Sequence, residues 1–128
     1  MNKLKMTFGK LVLEAELLDT ELLNAKTAQT IWAALPFEAR ADTWGEEVYF
    51  PTPVAVPEEA NAKTVMQAGE VAFWPPGNAI AIGYGRIPVS KGNEIRLASP
   101  CKVWGQALGD GKQLSAVQAG SAVMVEKV

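Results

Sequence analysis

The chain has 128 residues, 48% of them hydrophobic, which suffices for one domain with a core that needs no disulfide or metal. Its formal net charge of -2, without any long basic run, excludes the usual electrostatic basis for binding nucleic acid or an anionic membrane. The chain contains no histidine, which excludes Ser-His-Asp and Cys-His catalysis, histidine acid-base chemistry and histidine-containing zinc sites. We therefore expect a single domain over residues 1–128, with no nucleic-acid or membrane partner, no metal site and no cofactor.

The N-terminus and the cysteine content predict a cytoplasmic protein. Lys3 and Lys5 alternate with apolar residues, so the N-terminus lacks the continuous apolar segment of a secretory signal. No uncharged apolar run approaches the length of a membrane span. Cys101 is the only cysteine, which rules out an intramolecular disulfide and fits a reducing compartment. Cys101 itself is interpreted as a small strand residue.

The first seventeen residues predict a β-hairpin. Residues 3–8 alternate polar and apolar side chains with the period of 2 that is typical of a half-buried strand. Gly9-Lys10 is typical of a tight turn, and residues 11–17 form the return strand. A loop is expected at 19–23.

The hydrophobic period changes after this loop and predicts a helix. Ala28, Ile31, Trp32 and Leu35 recur at the i, i+3, i+4, i+7 spacing of one helix face. Asn24 is the expected N-cap, and Pro36 ends the helix. Such a helix can close the open end of a β-barrel or pack on its side, with Trp32 expected in the core.

The remainder of the chain predicts short strands separated by turns. Strands are expected at 37–43, 46–50, 71–74, 79–84, 94–97, 103–108 and 122–126, with a short helical turn at 114–117. Residues 51–61 contain three prolines and predict an extended surface connection. The segment WPPGNA at 74–79 predicts a turn between two strands, because proline cannot donate to a sheet and the following residues tolerate positive φ. Many short strands with one clear helix indicate a closed or nearly closed barrel.

Several segments of the chain together resemble a known family. The hairpin strand GKLVLEAEL at 9–17 and the helix around Thr27, Ala28 and Ile31 resemble the opening of cyclophilins. More specific segments are LPFE at 35–38, WGEEVYF at 44–50, GEVAFWPPGNA at 69–79 and IPVSKG at 87–92, and with these the chain resembles the small prokaryotic cyclophilin-like proteins. The resemblance covers nearly the whole chain. It implies a mainly β fold, a closed cyclophilin-like β-barrel of about eight strands with one or two capping helices.

The resemblance also implies a candidate activity, peptidyl-prolyl isomerisation. Cyclophilins use an arginine two residues after a phenylalanine on one strand as the electrostatic catalyst. In this chain Arg40 follows Phe37 by three residues, so Arg40 reaches the same face only if a bulge restores the phase of the strand. Arg40 and Arg86 are therefore the candidate catalytic cations. For Arg40, a solvent-facing charged stripe with Glu38 and Asp42 is the alternative interpretation.

Other side chains are candidates for ligand binding. Glu46 and Glu47 are adjacent on a predicted strand and point to opposite faces, so they cannot share a proton. Trp74 lies at a proline corner, where a large side chain is difficult to bury and can line an apolar pocket. The predicted ligand-binding residues are Trp44, Tyr49, Trp74, Pro76 and Asn78.

Two functions follow from these candidates. The leading hypothesis is a cyclophilin-like domain that binds an extended peptide or a small apolar ligand in a groove without strong catalysis. The alternative is an atypical prolyl isomerase, in which Arg40 or Arg86 draws electron density from the imide nitrogen. A purely assembly or interaction role remains a third hypothesis, because the sequence does not reveal the oligomeric state.

Overall fold

The computed structural model describes residues 2–17, 25–56 and 62–128. The predicted N-cap Asn24, the predicted loop at 19–23 and the end of the 51–61 connection lie outside the described residues. The strands are β1 (Lys3–Phe8), β2 (Leu11–Leu17), β3 (Phe37–Arg40), β4 (Asp42–Thr43), β5 (Glu47–Pro51), β6 (Ala62–Met66), β7 (Glu70–Trp74), β8 (Ala79–Gly83), β9 (Ile95–Ala107) and β10 (Ala122–Lys127). One α-helix, α1 (Ala25–Ala34), and two 3₁₀ helices, Pro75–Gly77 and Gly111–Ala116, complete these elements.

The strands form a nearly closed barrel. Their order is β3-β10-β1-β2-β9-β7-β8-β5-β4, with every pair antiparallel, and β6 pairs with β9 outside this path. Only Ala41 separates β3 from β4, and its N–H donates to the carbonyl of Ser121 at 2.7 Å. The two ends of the path, β3 and β4, therefore belong to one stretch of chain. If β3 and β4 are counted as one strand, the path contains eight strands instead of nine. The predicted barrel of about eight strands is confirmed.

The barrel interior contains the main hydrophobic core. On β1 the alternate residues Leu4, Met6 and Phe8 are buried, as the period of 2 predicts. Helix α1 adds Ile31 to this core. Trp32 is only partly buried against it, and the ammonium of Lys127 lies 4.9 Å from the centroid of its ring.

A second, smaller cluster lies on the outer face of the barrel. Its buried members are Met66, Ala72, Ala81, Leu97, Cys101 and Val103. Ala72 is adjacent to Val71 and Phe73 on β7, both of which belong to the main core, so Ala72 points to the opposite face of the sheet. The first half of β9 lies over this face, because a Cβ added at Gly83 of β8 would lie 2.6 Å from Cγ2 of Ile95.

Two predictions about strands need correction. The strands expected at 94–97 and 103–108 are parts of one strand of 13 residues, β9, and the sequence interpretation missed β6. In the sequence, Pro100 suggests that a strand ends there. In the structure it lies where the β6–β9 register shifts, and proline is tolerated at such an irregularity. The irregularity matters for the site described below, because residues 97–100 lie within it.

In the part of the chain that the structure describes, no helix has both the length and the apolar character that crossing a membrane requires.

Candidate functional site

A pocket opens on the outer face of the barrel, beside the second cluster. Its volume is about 110 Å³, and seven residues line it: Trp44, Glu47, Tyr49, Trp74, Leu97, Ala98 and Cys101. Three of these, the aromatic residues, were predicted from the sequence as ligand-binding. The pocket therefore brings together side chains from β5, β7, β9 and the corner before β5.

Strand β5 supplies two of the lining side chains through its alternation. Val48 and Phe50 are fully buried in the barrel core, so Glu47 and Tyr49 point to the outer face. Their partners in the antiparallel register with β8 are small, Gly83 opposite Glu47 and Ala81 opposite Tyr49. The space that Gly83 leaves on β8 is filled from β9, because a Cβ there would lie 2.6 Å from Cγ2 of Ile95 and 3.5 Å from Cδ2 of Leu97.

Trp74 is fixed at the end of β7 by contacts at both ends of its indole. Its Nε1 donates a hydrogen bond of 2.6 Å to the Ser99 hydroxyl. The 3₁₀ helix Pro75–Gly77 lies against its ring, because a Cβ added at Gly77 would lie 2.6 Å from the ring carbon Cζ3. Asn78 then takes a left-handed conformation, with φ of 47°, and its N–H donates to the carbonyl of Pro75. The predicted turn thus holds the back of the Trp74 ring.

Tyr49 is held at its polar end as well. Its hydroxyl donates to Oδ2 of Asp42 on the neighbouring strand β4, at 3.2 Å. Partial burial and then the charge of Asp42 raise the pKa of the tyrosine hydroxyl. With the polar ends of both Tyr49 and Trp74 already bonded, mainly apolar ring surface remains to face the pocket.

Trp44 is positioned by a corner that is locked to the loop after β8. Gly45 has φ of +59°, and a Cβ there would lie 2.8 Å from Cα of Ile87, so the close approach requires glycine. Glu46 donates its N–H to the carbonyl of Arg86 at 2.8 Å and accepts the Arg86 N–H on its carboxylate at 3.0 Å. The corner leads directly into β5, where the Glu47 carbonyl accepts the Trp44 N–H at 3.1 Å.

Glu47 is the buried carboxyl of the pocket. It is 6% exposed, and its Oε1 has no hydrogen-bond partner among the residues that the structure describes. Burial raises the pKa of this carboxyl to about 7. The neighbouring Glu46 is exposed, in agreement with the expectation that the two glutamates face opposite sides. A buried carboxyl with an unsatisfied oxygen is prepared to interact with a donor or a cation.

Cys101 lines the pocket without the character of a nucleophile. Its thiol donates to the carbonyl of Ser99 at 3.3 Å. Burial, and to a smaller degree the charge of Glu47, raises the pKa of the thiol to about 12. Because the thiolate is the reactive form, Cys101 acts here as a small apolar wall residue.

The two predicted catalytic arginines are absent from the pocket lining. Arg40 is exposed on β3, and its Nη1 donates to the carbonyl of Gly120 at 3.2 Å. Arg86 is exposed in the loop that supports the Trp44 corner. The predicted ligand residues Pro76 and Asn78 are exposed on the turn behind Trp74 and do not line the pocket either.

Four lining residues were not predicted from the sequence. Glu47 lies two residues before Tyr49 and hence on the same face of β5, so the alternation already contained a signal for it. Leu97, Ala98 and Cys101 belong to a strand more than twenty residues further along the chain than Trp74, and no local pattern connects them to the pocket.

Comparison with known proteins identifies the fold and a family. The family model described as Cyclophilin-like matches residues 2–126. The chain is similar to the hypothetical protein AF2241 from Archaeoglobus fulgidus, with 37% identity and a TM-score of 0.84 to its solution structure, over 99% of this chain and 95% of that chain. It is also similar in fold to McbB, solved in complex with tryptophan, with 13% identity and a TM-score of 0.70 over 96% of this chain and 44% of McbB. No curated protein matches the sequence.

Proposed function

The chain belongs to the cyclophilin-like family, and from this premise we propose that it is a binding domain that holds a small ligand, or one side chain of an extended peptide, between Trp44, Tyr49 and Trp74 without strong catalysis. The observation that carries the proposal is the pocket itself, a concave site walled by three aromatic side chains on the outside of the barrel. Concave, mostly apolar sites with a few fixed polar groups are the usual form of small-ligand sites.

The size of the pocket limits what enters it. Its volume of about 110 Å³ is smaller than the cavity of about 150 Å³ that holds one benzene molecule. One small ring or one branched alkyl group therefore fills it. A larger ligand, such as a peptide, inserts a single side chain and extends the rest along the surface.

Binding is favoured over isomerisation by the charges of the lining. An isomerase must lower a rotation barrier of about 18–20 kcal/mol, and a cation aimed at the imide does so electrostatically. None of the described lining residues is an arginine or a lysine. Without such a cation, the pocket binds the ground state and the twisted transition state of a prolyl peptide about equally well. Equal binding of the two states gives affinity without acceleration of the isomerisation.

The four tryptophans provide a test of the proposed site. Their indole N–H signals can be followed separately by NMR during addition of a proline-containing peptide or a small apolar compound. We expect shifts for Trp44 and Trp74, which line the pocket, and none for Trp104, which is buried in the barrel core, or Trp32 on α1. Equal shifts of all four signals, or no shift of Trp44 and Trp74 with any compound, would contradict the proposal.

The isomerase alternative is tested by the same peptide. We expect little or no acceleration of its cis/trans exchange at protein concentrations that saturate binding. Clear acceleration that falls on the order of 100-fold in Arg40→Ala or Arg86→Ala would establish the alternative in place of the binding role.

A further inference from the structure

The unpartnered oxygen of Glu47 distinguishes this pocket from a purely apolar one. A buried polar atom without a hydrogen bond destabilises the folded protein, and Oε1 of Glu47 is such an atom within the described chain. Rotation about the last side-chain bond exchanges the two carboxyl oxygens, so either oxygen can be presented to the pocket. A neutral hydrocarbon ligand leaves this carboxyl without a partner, whereas a cation provides one.

The aromatic walls favour the same kind of ligand. A cation is attracted to the faces of aromatic rings, most strongly to tryptophan, and the attraction is stronger when the cation is desolvated. Two tryptophans and one tyrosine line this pocket. The polar ends of Trp74 and Tyr49 are already occupied by Ser99 and Asp42, so the rings interact with a ligand through their faces or apolar edges.

We propose that the group bound in this pocket is an alkylated ammonium, enclosed by the rings of Trp44, Tyr49 and Trp74 with its charge opposite Glu47. This inference rests on the proposed binding function and specifies the ligand class. The volume of about 110 Å³ suits a compact head such as trimethylammonium. The alkyl groups fill the apolar walls, and the carboxylate neutralises the charge that a hydrocarbon pocket alone would not accept.

Glu47 is the only carboxylate among the described lining residues, and none of these residues is a lysine or an arginine that would neutralise it. On β5 and β9 the ionisable groups that interact with it are Tyr49 and Cys101, which are neutral at pH 7 because their ordinary pKa values of 10.0 and 9.0 already lie above 7 and burial raises both pKa values further. On β4, Asp42 accepts the Tyr49 hydroxyl, and on β8 the residue opposite is Gly83. Lys102 follows Cys101 on β9 and therefore points to the opposite face of the strand.

The state of the Glu47 carboxyl makes cation binding depend on pH. A cation binds the ionised form, and below the pKa of about 7 this form must first be generated. The affinity for a permanent cation therefore rises about tenfold per pH unit below pH 7 and levels above it. A neutral ligand of the same shape shows no such rise.

Choline and its neutral carbon isostere, 3,3-dimethylbutan-1-ol, form the test pair, with binding followed by calorimetry and by the indole signal of Trp74. At pH 8 we expect choline to bind at least tenfold more tightly than the isostere, and Glu47→Gln to reduce this preference to the part that the aromatic rings supply. A peptide with trimethyllysine, compared with the same peptide carrying unmodified lysine, shows whether the head belongs to a free molecule or to a protein side chain.

The outcomes separate the ligand class from the binding function. If the isostere binds as tightly as choline, the ammonium assignment is wrong and the pocket is an apolar ligand site. If the preference is undiminished in Glu47→Gln, the placement of the ligand charge opposite Glu47 is wrong. If neither probe binds while a neutral peptide still shifts Trp74, only the ammonium inference fails. If no compound shifts Trp74, the binding function fails with it. The choline–isostere comparison needs no variant, so it remains decisive even if Glu47→Gln is poorly folded.

Discussion

The indole nitrogen of Trp74 and the hydroxyl of Ser99 are joined by a hydrogen bond of 2.6 Å. The bond connects the end of β7 to the irregular segment of β9, two residues before Cys101. It fixes the orientation of one aromatic wall of the pocket, and Ser99 is therefore a positioning residue that need not touch the ligand.

Ser99→Ala tests this positioning role. Removing the acceptor leaves the partly buried Trp74 N–H without its partner, which costs about 1 kcal/mol. If ligand binding depends on the fixed ring, affinity falls about fivefold, and the indole proton signal of Trp74 moves while that of Trp104 does not. Ser115→Ala, at an exposed position on the 3₁₀ helix Gly111–Ala116, is the matched control. An unchanged Trp74 signal in Ser99→Ala would contradict the role.

Gly77→Ala tests the support behind the Trp74 ring. The new Cβ would lie 2.6 Å from Cζ3 and 2.7 Å from Cε3 of the ring, so the indole must move. We expect a loss of about 1–3 kcal/mol in unfolding free energy and weaker binding in the pocket, measured by chemical denaturation and titration.

The matched control for Gly77→Ala is Gly111→Ala. Its Cβ would meet Cβ of Tyr84 at 3.7 Å, an ordinary contact. Both substitutions restrict the unfolded chain in the same way, so the difference between them isolates the clash. Equal stability of the two variants would show that the ring is not held by this turn.

Glu47→Gln tests the burial of the carboxyl through the pH dependence of stability. The raised pKa means that folded protein holds this proton more tightly than unfolded protein does. The corresponding stability is present below about pH 4.5 and is lost as pH rises through about 7. We therefore expect Glu47→Gln to gain stability relative to the parent protein over this interval, by at most roughly 3 kcal/mol.

Denaturation curves of both proteins at several pH values measure this difference. Glu38→Gln, at an exposed position on β3, controls for the loss of a surface carboxylate. A stability difference between Glu47→Gln and the parent that stays constant from pH 4.5 to pH 8 would show that Glu47 titrates as an ordinary glutamate.

Cys101 should resist alkylation in the folded protein. With its pKa raised from 9.0 to about 12, the thiolate fraction at pH 8 is about a thousandfold smaller than that of an ordinary cysteine, and burial restricts access further. Mass spectrometry after iodoacetamide treatment measures the rate, and the unfolded protein in denaturant is the reference. If the native protein is labelled as fast as the unfolded protein, the Cys101 thiol is accessible to solvent and this prediction is wrong.

Much of the barrel was predictable because local patterns encode it. The period of 2 in residues 3–8 and 11–17 and the helical spacing after residue 24 gave β1, β2 and α1. The proline-rich turn at 75–78 was also predictable, since fixed φ values and a residue tolerant of positive φ are local properties. The pairing of β6 with β9 was not, because neither segment shows a clear alternation and Pro100 suggests a break.

The sequence by itself determined which side chains of one strand share a face, and so placed Glu47 with Tyr49 and away from Val48 and Phe50. It also drew attention to Trp44, Tyr49 and Trp74 as aromatics near turns. Only the tertiary structure decided that these three surround one pocket and that the exposed Arg40 and Arg86 do not line it. The physical reason is that the pocket forms only when β9 folds over the outer face of the sheet, which is a contact between segments distant in the chain. The same contact buries Glu47, and burial raises the pKa of its carboxyl.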